Sequence, residues 1–295
     1  MRKENPEREF TGEQEDPLFD RPVFILSPPR SGSTLLFETL SQASSIFTIG
    51  SESHGIIEQI EGLSPRDKGY ESNMLGASDA GPVQVRELRE RFYSALHDRS
   101  GCAPMPGKVR MLEKTPKNAL RVDFIKTVFP GARFIFLYRD PRETIGSMID
   151  AWRSQHFRTY LDLPGWPYAS WSLLLVPGWR DLARRPLHEI VCAQWQITMN
   201  CLLDSLESMN SQRWCAVDYA SLIREPDFEI RKISNFHGIE WDRKVSGVLP
   251  LSRNTLTVPA PGKWHKHASL IEPMLPLLAP TIERARLALK AGLVS

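Results

Sequence analysis

The chain has 295 residues, 41% hydrophobic and 24% charged, a balance that forms a soluble core and excludes a disordered polymer. Lys and Arg number 37 against 35 Asp and Glu, which excludes whole-protein attraction to nucleic acid or an anionic membrane. Any anion site must therefore come from local placement of cations.

The first 20 residues, MRKENPEREFTGEQEDPLFD, are polar and mixed in charge, which predicts a flexible arm without a signal-peptide core. No apolar run approaches the ~18–20 residues of a membrane span. Val23 to Leu26 predicts a buried strand. The turn Ser27-Pro28-Pro29-Arg30-Ser31-Gly32 follows, and then Leu35, Leu36, Leu40 and Ala43 recur at helical spacing. Strand, small-residue turn and helix N-terminus make an anion trap, to which Arg30 adds a full positive charge. The Walker A pattern is absent, because no Gly-Lys pair precedes Ser33 or Thr34.

Val85, Leu88, Phe92 and Leu96 predict a helix, and Val109 to Leu112 a strand ending in Glu113-Lys114-Thr115-Pro116. Leu120, Phe124, Val128 and Phe129 mark the next helix, stopped by Pro130-Gly131. Arg133 to Tyr138 reads as a strand buried on both faces of a parallel sheet. In Arg139-Asp140-Pro141-Arg142-Glu143, Asp140 is a helix N-cap, Pro141 suits the first helical position, and Glu143 completes a capping box. Arg139 falls at the carboxyl end of a strand, where open α/β sheets bind ligands, or else it satisfies strand-end carbonyls. Ser147 lies two turns into that helix and can share an anion with it.

The stretch 155–186 carries Trp166, Trp171 and Trp179 among prolines, and reads as a packed lid facing an apolar acceptor or stapled by its own aromatics. Trp214 to Tyr219 predicts a strand, Phe228 to Phe236 a helix, and Leu270 to Leu293 a proline-interrupted helical tail. Strands separated by helices predict an α/β fold of parallel units. Cys102, Cys192, Cys201 and Cys215 form no C-x-x-C pair, and with no secretory signal they read as reduced thiols of a cytoplasmic protein.

The segments PPRSGSTLL and YRDPRETIGS together resemble the two nucleotide-binding signatures of sulfotransferases that use 3′-phosphoadenosine-5′-phosphosulfate (PAPS). Gly262-Lys263-Trp264-His265-Lys266-His267 resembles the third cofactor-binding stretch of that family. The resemblance runs from about Val23 to His267, in the family's order, and matches most closely the P-R-S-G-[ST]-T subtype that includes protein-tyrosine sulfotransferases. It implies a P-loop NTPase-like three-layer sandwich, one domain over residues 21–295, with PAPS as donor, adenosine 3′,5′-bisphosphate (PAP) as product and no metal.

By the same resemblance, Arg30, Ser31, Gly32, Ser33 and Thr34 hold the 5′-phosphosulfate, and Arg139 and Ser147 bind the 3′-phosphate. Lys263, Trp264 and Lys266 close over the nucleotide, and Ser252 and Arg253 are further candidates for its phosphates. Lys114 approaches the leaving oxygen, unless it forms only a solvated pair with Glu113. Glu52 matches the catalytic Glu of tyrosine sulfotransferases across a one-residue insertion, and His54 is the alternative base. The acceptor is a hydroxyl on a small molecule or a carrier-bound chain. The competing readings are a P-loop phosphotransferase, which would need Mg²⁺ and a triphosphate, and a non-catalytic nucleotide-binding module.

Overall fold

Every side chain of Val23–Leu26 (β1) is buried, because this strand lies inside a parallel sheet covered on both faces. The structure, a computed structural model, describes residues 16–245, 247, 249–256 and 260–294. After β1 come α1 (Ser33–Leu40), β2 (Ile46–Phe47), α2 (His54–Ile57), α3 (Pro82–Ala95) and β3 (Arg110–Lys114). Then follow α4 (Val122–Val128), β4 (Arg133–Tyr138), α5 (Pro141–Ser154), β5 (Arg158–Leu161), β6 (Ser170–Ser172) and α6 (Leu187–Glu207). The last elements are β7 (Trp214–Asp218), α7 (Tyr219–Arg224), α8 (Pro226–His237), α9 (Ala268–Ile271) and α10 (Leu275–Gly292).

The sheet order is β2-β3-β1-β4-β7, with every pairing parallel. Val23 stands opposite both Leu112 and Arg133, so β1 is central and flanked by β3 and β4. Side chains alternate across the pleat. Phe24, Leu26, Met111, Phe134 and Phe136 join one core, under α3, α4, α6 and α10; Val23, Ile25, Leu112, Ile135 and Leu137 join the other, under α1 and α8. Each such fully buried side chain contributes about 1.5–3 kcal/mol, which makes this two-faced sheet the main store of stability. The parallel strands all end at one edge, where ligands bind in open α/β sheets.

The expected strands and most expected helices stand where the pattern put them, with boundary shifts of a few residues. The predicted helix of Leu120 to Phe129 divides into a 3₁₀ turn, Pro116–Leu120, and α4. The helix α6 has no counterpart among the predicted elements. Ile190, Val191, Trp195, Met199, Leu202 and Leu206 are all buried, along with the polar Gln194 and Thr198, so no single apolar stripe marks it. The helical tail runs on through Pro280 as α10. Of the expected arm, residues 1–15 lie outside the described residues, whereas Phe19 is buried and Asp16 and Asp20 pair with Arg89 and Arg110.

The lid stretch forms a small antiparallel sheet, β5 with β6, over its own core of Trp166, Trp171, Trp179, Leu174, Leu175 and Val176. The indole N–H groups donate inward, Trp171 to the Leu174 carbonyl (2.9 Å) and Trp179 to that of Tyr70 (2.8 Å). The tryptophans therefore staple the lid.

The chain closes with Gly292 pressed against β7. A β-carbon there would collide with the Trp214 ring and come within 2.9 Å of the Ala216 backbone nitrogen. Gly292→Ala gains up to about 1 kcal/mol of helix propensity, but overpacking costs about 1–3 kcal/mol. We expect net destabilisation, read as a lower urea midpoint; an unchanged or raised midpoint would refute this packing.

Candidate active site

The turn after β1 brings charge to the sheet edge in a strained conformation. Arg30 is left-handed at φ 68°, and such a non-glycine conformation costs on the order of 1–3 kcal/mol. It is held by Arg139, at the end of β4, whose Nη1 donates to the Arg30 carbonyl at 3.0 Å. Gly32, at φ 99°, caps α1, and a β-carbon there would strike the Tyr219 ring. That ring in turn lies 4.6 Å beneath the Arg139 guanidinium. The first-turn N–H groups of α1, at Ser33 and Thr34, have no acceptor within the helix, and both residues line the cavity described below.

The Arg30 side chain is gripped from three sides. Its Nη1 donates to the Asn254 carbonyl (3.0 Å), its Nε lies 3.4 Å from Ser147 Oγ, and its guanidinium sits 4.6 Å over the Phe157 ring. Burial, and then the neighbouring charge of Arg139, push its pKa down from the usual guanidinium value, with Asp150 opposing. Two guanidinium groups are thus held close together, which an anion between them would relieve. Asn254 Nδ2 also reaches Thr34 Oγ1 at 3.3 Å. Asn254 and Phe157 are the site residues that sequence reasoning missed, since an isolated Asn and Phe carry no motif.

The opposite wall is the segment after β2. Glu52 Oε1 receives a 2.6 Å hydrogen bond from Lys114 Nζ, whose side chain is 1% exposed. His54 Nδ1 stands 3.6 Å from Glu52 Oε2. Although its ring is partly exposed, that nitrogen is fully covered and makes no hydrogen bond among the described residues. Burial and then the Lys117 charge lower the His54 pKa, outweighing Glu52 and Glu58, so the ring is neutral at neutral pH. Glu58 in turn is clamped by Lys117 (2.8 Å) and Arg121 (2.7 Å). Lys114 does not form the solvated pair with Glu113, which is wholly buried.

Asp140 caps α5 by accepting from the Arg142 N–H (2.8 Å), and Pro141 opens the helix, as the sequence predicts. The expected capping box does not form. Glu143 instead accepts from the Gly262 N–H at 2.8 Å and faces Arg139 Nη2 at 3.5 Å, tying the late loop to the strand-end arginine. Trp264 is buried against Gly146, stacks on His265 at a centroid distance of 4.2 Å, and lies under Arg142. Lys266 pairs with Asp150 (2.8 Å), as does His267 (2.9 Å). Arg253 is taken up by the Gly50 carbonyl and Glu38, and Ser252 by Thr255.

One cavity of about 960 Å³ joins these groups. Arg30, Gly32, Ser33, Thr34, Glu52, His54, Arg139, Ser147, Lys263 and Trp264 line it, while Ser31, Lys114 and Lys266 do not. Phe157, Leu173, Leu249, Leu251 and Leu256 give it apolar walls. The lid's contribution is His156 to Thr159 with Leu173; Trp166, Trp171 and Trp179 are not in the lining. Among the described residues no group of three or more His, Cys, Asp or Glu is arranged to hold a metal ion.

A sequence profile of the sulfotransferase family matches residues 22–243. The chain belongs to the sulfotransferase family. Protein-tyrosine sulfotransferase A of Caenorhabditis elegans is 22% identical over 246 residues, 81% of this chain and 56% of that protein. The Drosophila melanogaster protein-tyrosine sulfotransferase is 22% identical over 241 residues, 81% and 41%. The chain thus spans about half the length of these curated relatives.

The sulfotransferase domain of the Synechococcus PCC 7002 olefin synthase superposes with a TM-score of 0.51 at 18% identity, covering 93% of this chain and 96% of that one. A sulfotransferase from Alicyclobacillus acidocaldarius gives 0.51 at 14%, covering 92% and 96%. A mouse sulfotransferase complexed with PAP gives 0.50 at 14%, covering 92% and 89%. These likenesses establish the fold as the P-loop NTPase-like α/β sandwich. No described helix is long and apolar enough to cross a membrane.

Glu143 joins the late loop to α5, so Glu143→Ala should speed amide exchange across residues 263–267 at least tenfold while leaving β4 protected. Unchanged exchange there would show that the loop is held without this contact.

Proposed function

We propose that this chain transfers a sulfuryl group from PAPS to a hydroxyl carried on an apolar acceptor. The observation that carries the reading is the pair Arg30 and Arg139, locked to one another at the head of α1 beside Ser147, where a Walker lysine is missing. The donor has anionic groups on both its 5′ and 3′ sides, and this cluster fits them. Arg30 and the N–H groups of Ser33 and Thr34 meet the 5′-phosphosulfate, while Gly32 leaves the space that the Tyr219 ring takes. Arg139 and Ser147 take the 3′-phosphate. The sulfotransferase relatives, one of them solved with PAP, support the same donor.

Sulfuryl transfer is in-line and loose, by analogy with phosphoryl transfer, so catalysis rests on positioning and charge stabilisation. As the acceptor oxygen bonds to sulfur, the bond from sulfur to the bridging oxygen breaks and PAP departs. Arg30 stabilises the negative charge that develops on that bridging oxygen. Glu52 accepts the proton from the acceptor hydroxyl. Lys114, outside the cavity lining, donates to Glu52 and so holds and orients the carboxylate. His54, neutral and in van der Waals reach of Glu52, helps to orient the hydroxyl. Lys263 and Trp264 close the late loop, Trp264 as its anchor, and Lys266 supports it through Asp150. Phe157 and Leu173 offer the acceptor an apolar wall.

Two substitutions test this division of labour. Arg139→Ala should weaken PAP binding at least tenfold by calorimetry, and binding of adenosine 5′-phosphosulfate much less. Equal losses for both ligands would remove the 3′-phosphate assignment. Glu52→Gln should lower kcat by about 10²–10⁴-fold with donor affinity unchanged. Wild-type turnover in that variant would exclude Glu52 as the base and leave His54 in the role.

A further inference from the structure

The Glu113-Lys114-Thr115-Pro116 segment at the end of β3 has one residue whose role the transfer chemistry leaves unexplained. Glu113 is completely buried one position before Lys114, and burial pushes its carboxyl pKa up. Such a group is costly unless its hydrogen bonds are made. They are made, and all of them converge on one residue, Ser53. Glu113 Oε1 accepts from Thr115 Oγ1 (2.5 Å) and from the Ser53 N–H (3.3 Å). Oε2 accepts from Asn118 Nδ2 at 2.6 Å. The Ser53 N–H also donates to Thr115 Oγ1 at 2.7 Å, and Ser53 Oγ lies 3.1 Å from that same hydroxyl. Ser53, Thr115 and Asn118 are each no more than 1% exposed.

Ser53 is the residue between Glu52 and His54. Successive side chains of a strand point to opposite faces. One strand end thereby holds one turn twice, Glu113 gripping its backbone at Ser53 and Lys114 gripping its carboxylate at Glu52.

We propose that Glu113 is a positioning residue for transfer. Through Thr115 and Asn118 it fixes the backbone at Ser53 and so aims Glu52 into the cavity. The proposal rests on the reading of Glu52 as the base. The network needs an acceptor at Ser53, not a charge. Asn118 Oδ1 has no partner among the described residues, so a flipped Asn118 amide can accept from a Gln at position 113. A neutral isostere is therefore compatible with the role, whereas an apolar one is not.

The test compares Glu113→Gln, Glu113→Met and Thr115→Val in the full chain. It reads conversion of PAPS to PAP with a naphthol or water as acceptor, PAP affinity, and amide exchange at Ser53. Glu113→Gln should stay within about threefold of wild type in turnover. Glu113→Met and Thr115→Val should lose about 10–100-fold in kcat with PAP affinity unchanged and faster exchange at Ser53. In a Glu52→Gln background those kcat losses should vanish. Losses that persist in that background, a matching fall in PAP affinity, or unchanged exchange at Ser53 would overturn the proposal. Wild-type turnover in Glu52→Gln alone would instead overturn the base assignment, while Ser53 exchange still reports the backbone role. Should Glu113→Met fail to fold, Thr115→Val carries the comparison.

Discussion

The structure turns on a concentration of like charge at the carboxyl edge of a parallel sheet. Arg30 and Arg139 come from different strand–helix turns, yet one donates to the carbonyl of the other and their charges repel. Among the described residues Arg30 has no carboxylate in ion-pair contact; its Nε and Nη1 meet a hydroxyl and a carbonyl, and its plane lies over an aromatic ring. Such an arrangement is unfavourable by itself. It is tolerated because the two-faced core beneath fixes both strands, and an anion between the two groups would relieve it. The left-handed turn at Arg30 belongs to the same economy of strain.

Around that centre the surrounding loops are tied to the cations and not merely to one another. The lid reaches Arg30 through Phe157, the segment before the late loop reaches it through Asn254, and the late loop reaches Arg139 through Glu143. The turn after β1, the lid and the late loop therefore line one cavity. Phe157 is the lid residue that meets Arg30, whereas none of the three tryptophan rings lines the site.

The sheet strands were legible because a strand buried on both faces must be nearly continuous in apolar residues, as Arg133 to Tyr138 is. The long helix α6 was not, since burial around most of its circumference removes the amphipathic period that marks a surface helix. That Arg30, Arg139 and Ser147 line one cavity could be anticipated from strand–turn–helix geometry together with the family resemblance. Their neighbours could not. Glu143 has the sequence context of a capping box but serves a residue more than a hundred positions away, a tertiary competitor that local grammar does not contain. Lys114 was correctly placed at a strand end, but only the fold shows that it donates to Glu52, which lines the cavity. Only the fold likewise shows that Lys266 pairs with Asp150.

The central claim is that this cationic edge serves sulfuryl transfer, and its most direct test is a product measurement. The purified chain is incubated with a mixture of phenols and apolar alcohols, with PAPS in one arm and ATP with Mg²⁺ in the other. Mass spectrometry then reads both the products and the nucleotide. The account expects sulfated product and stoichiometric PAP in the first arm and none of either in the second. Phosphorylated product from the ATP arm, or PAP bound tightly without any sulfated product from PAPS, would contradict it.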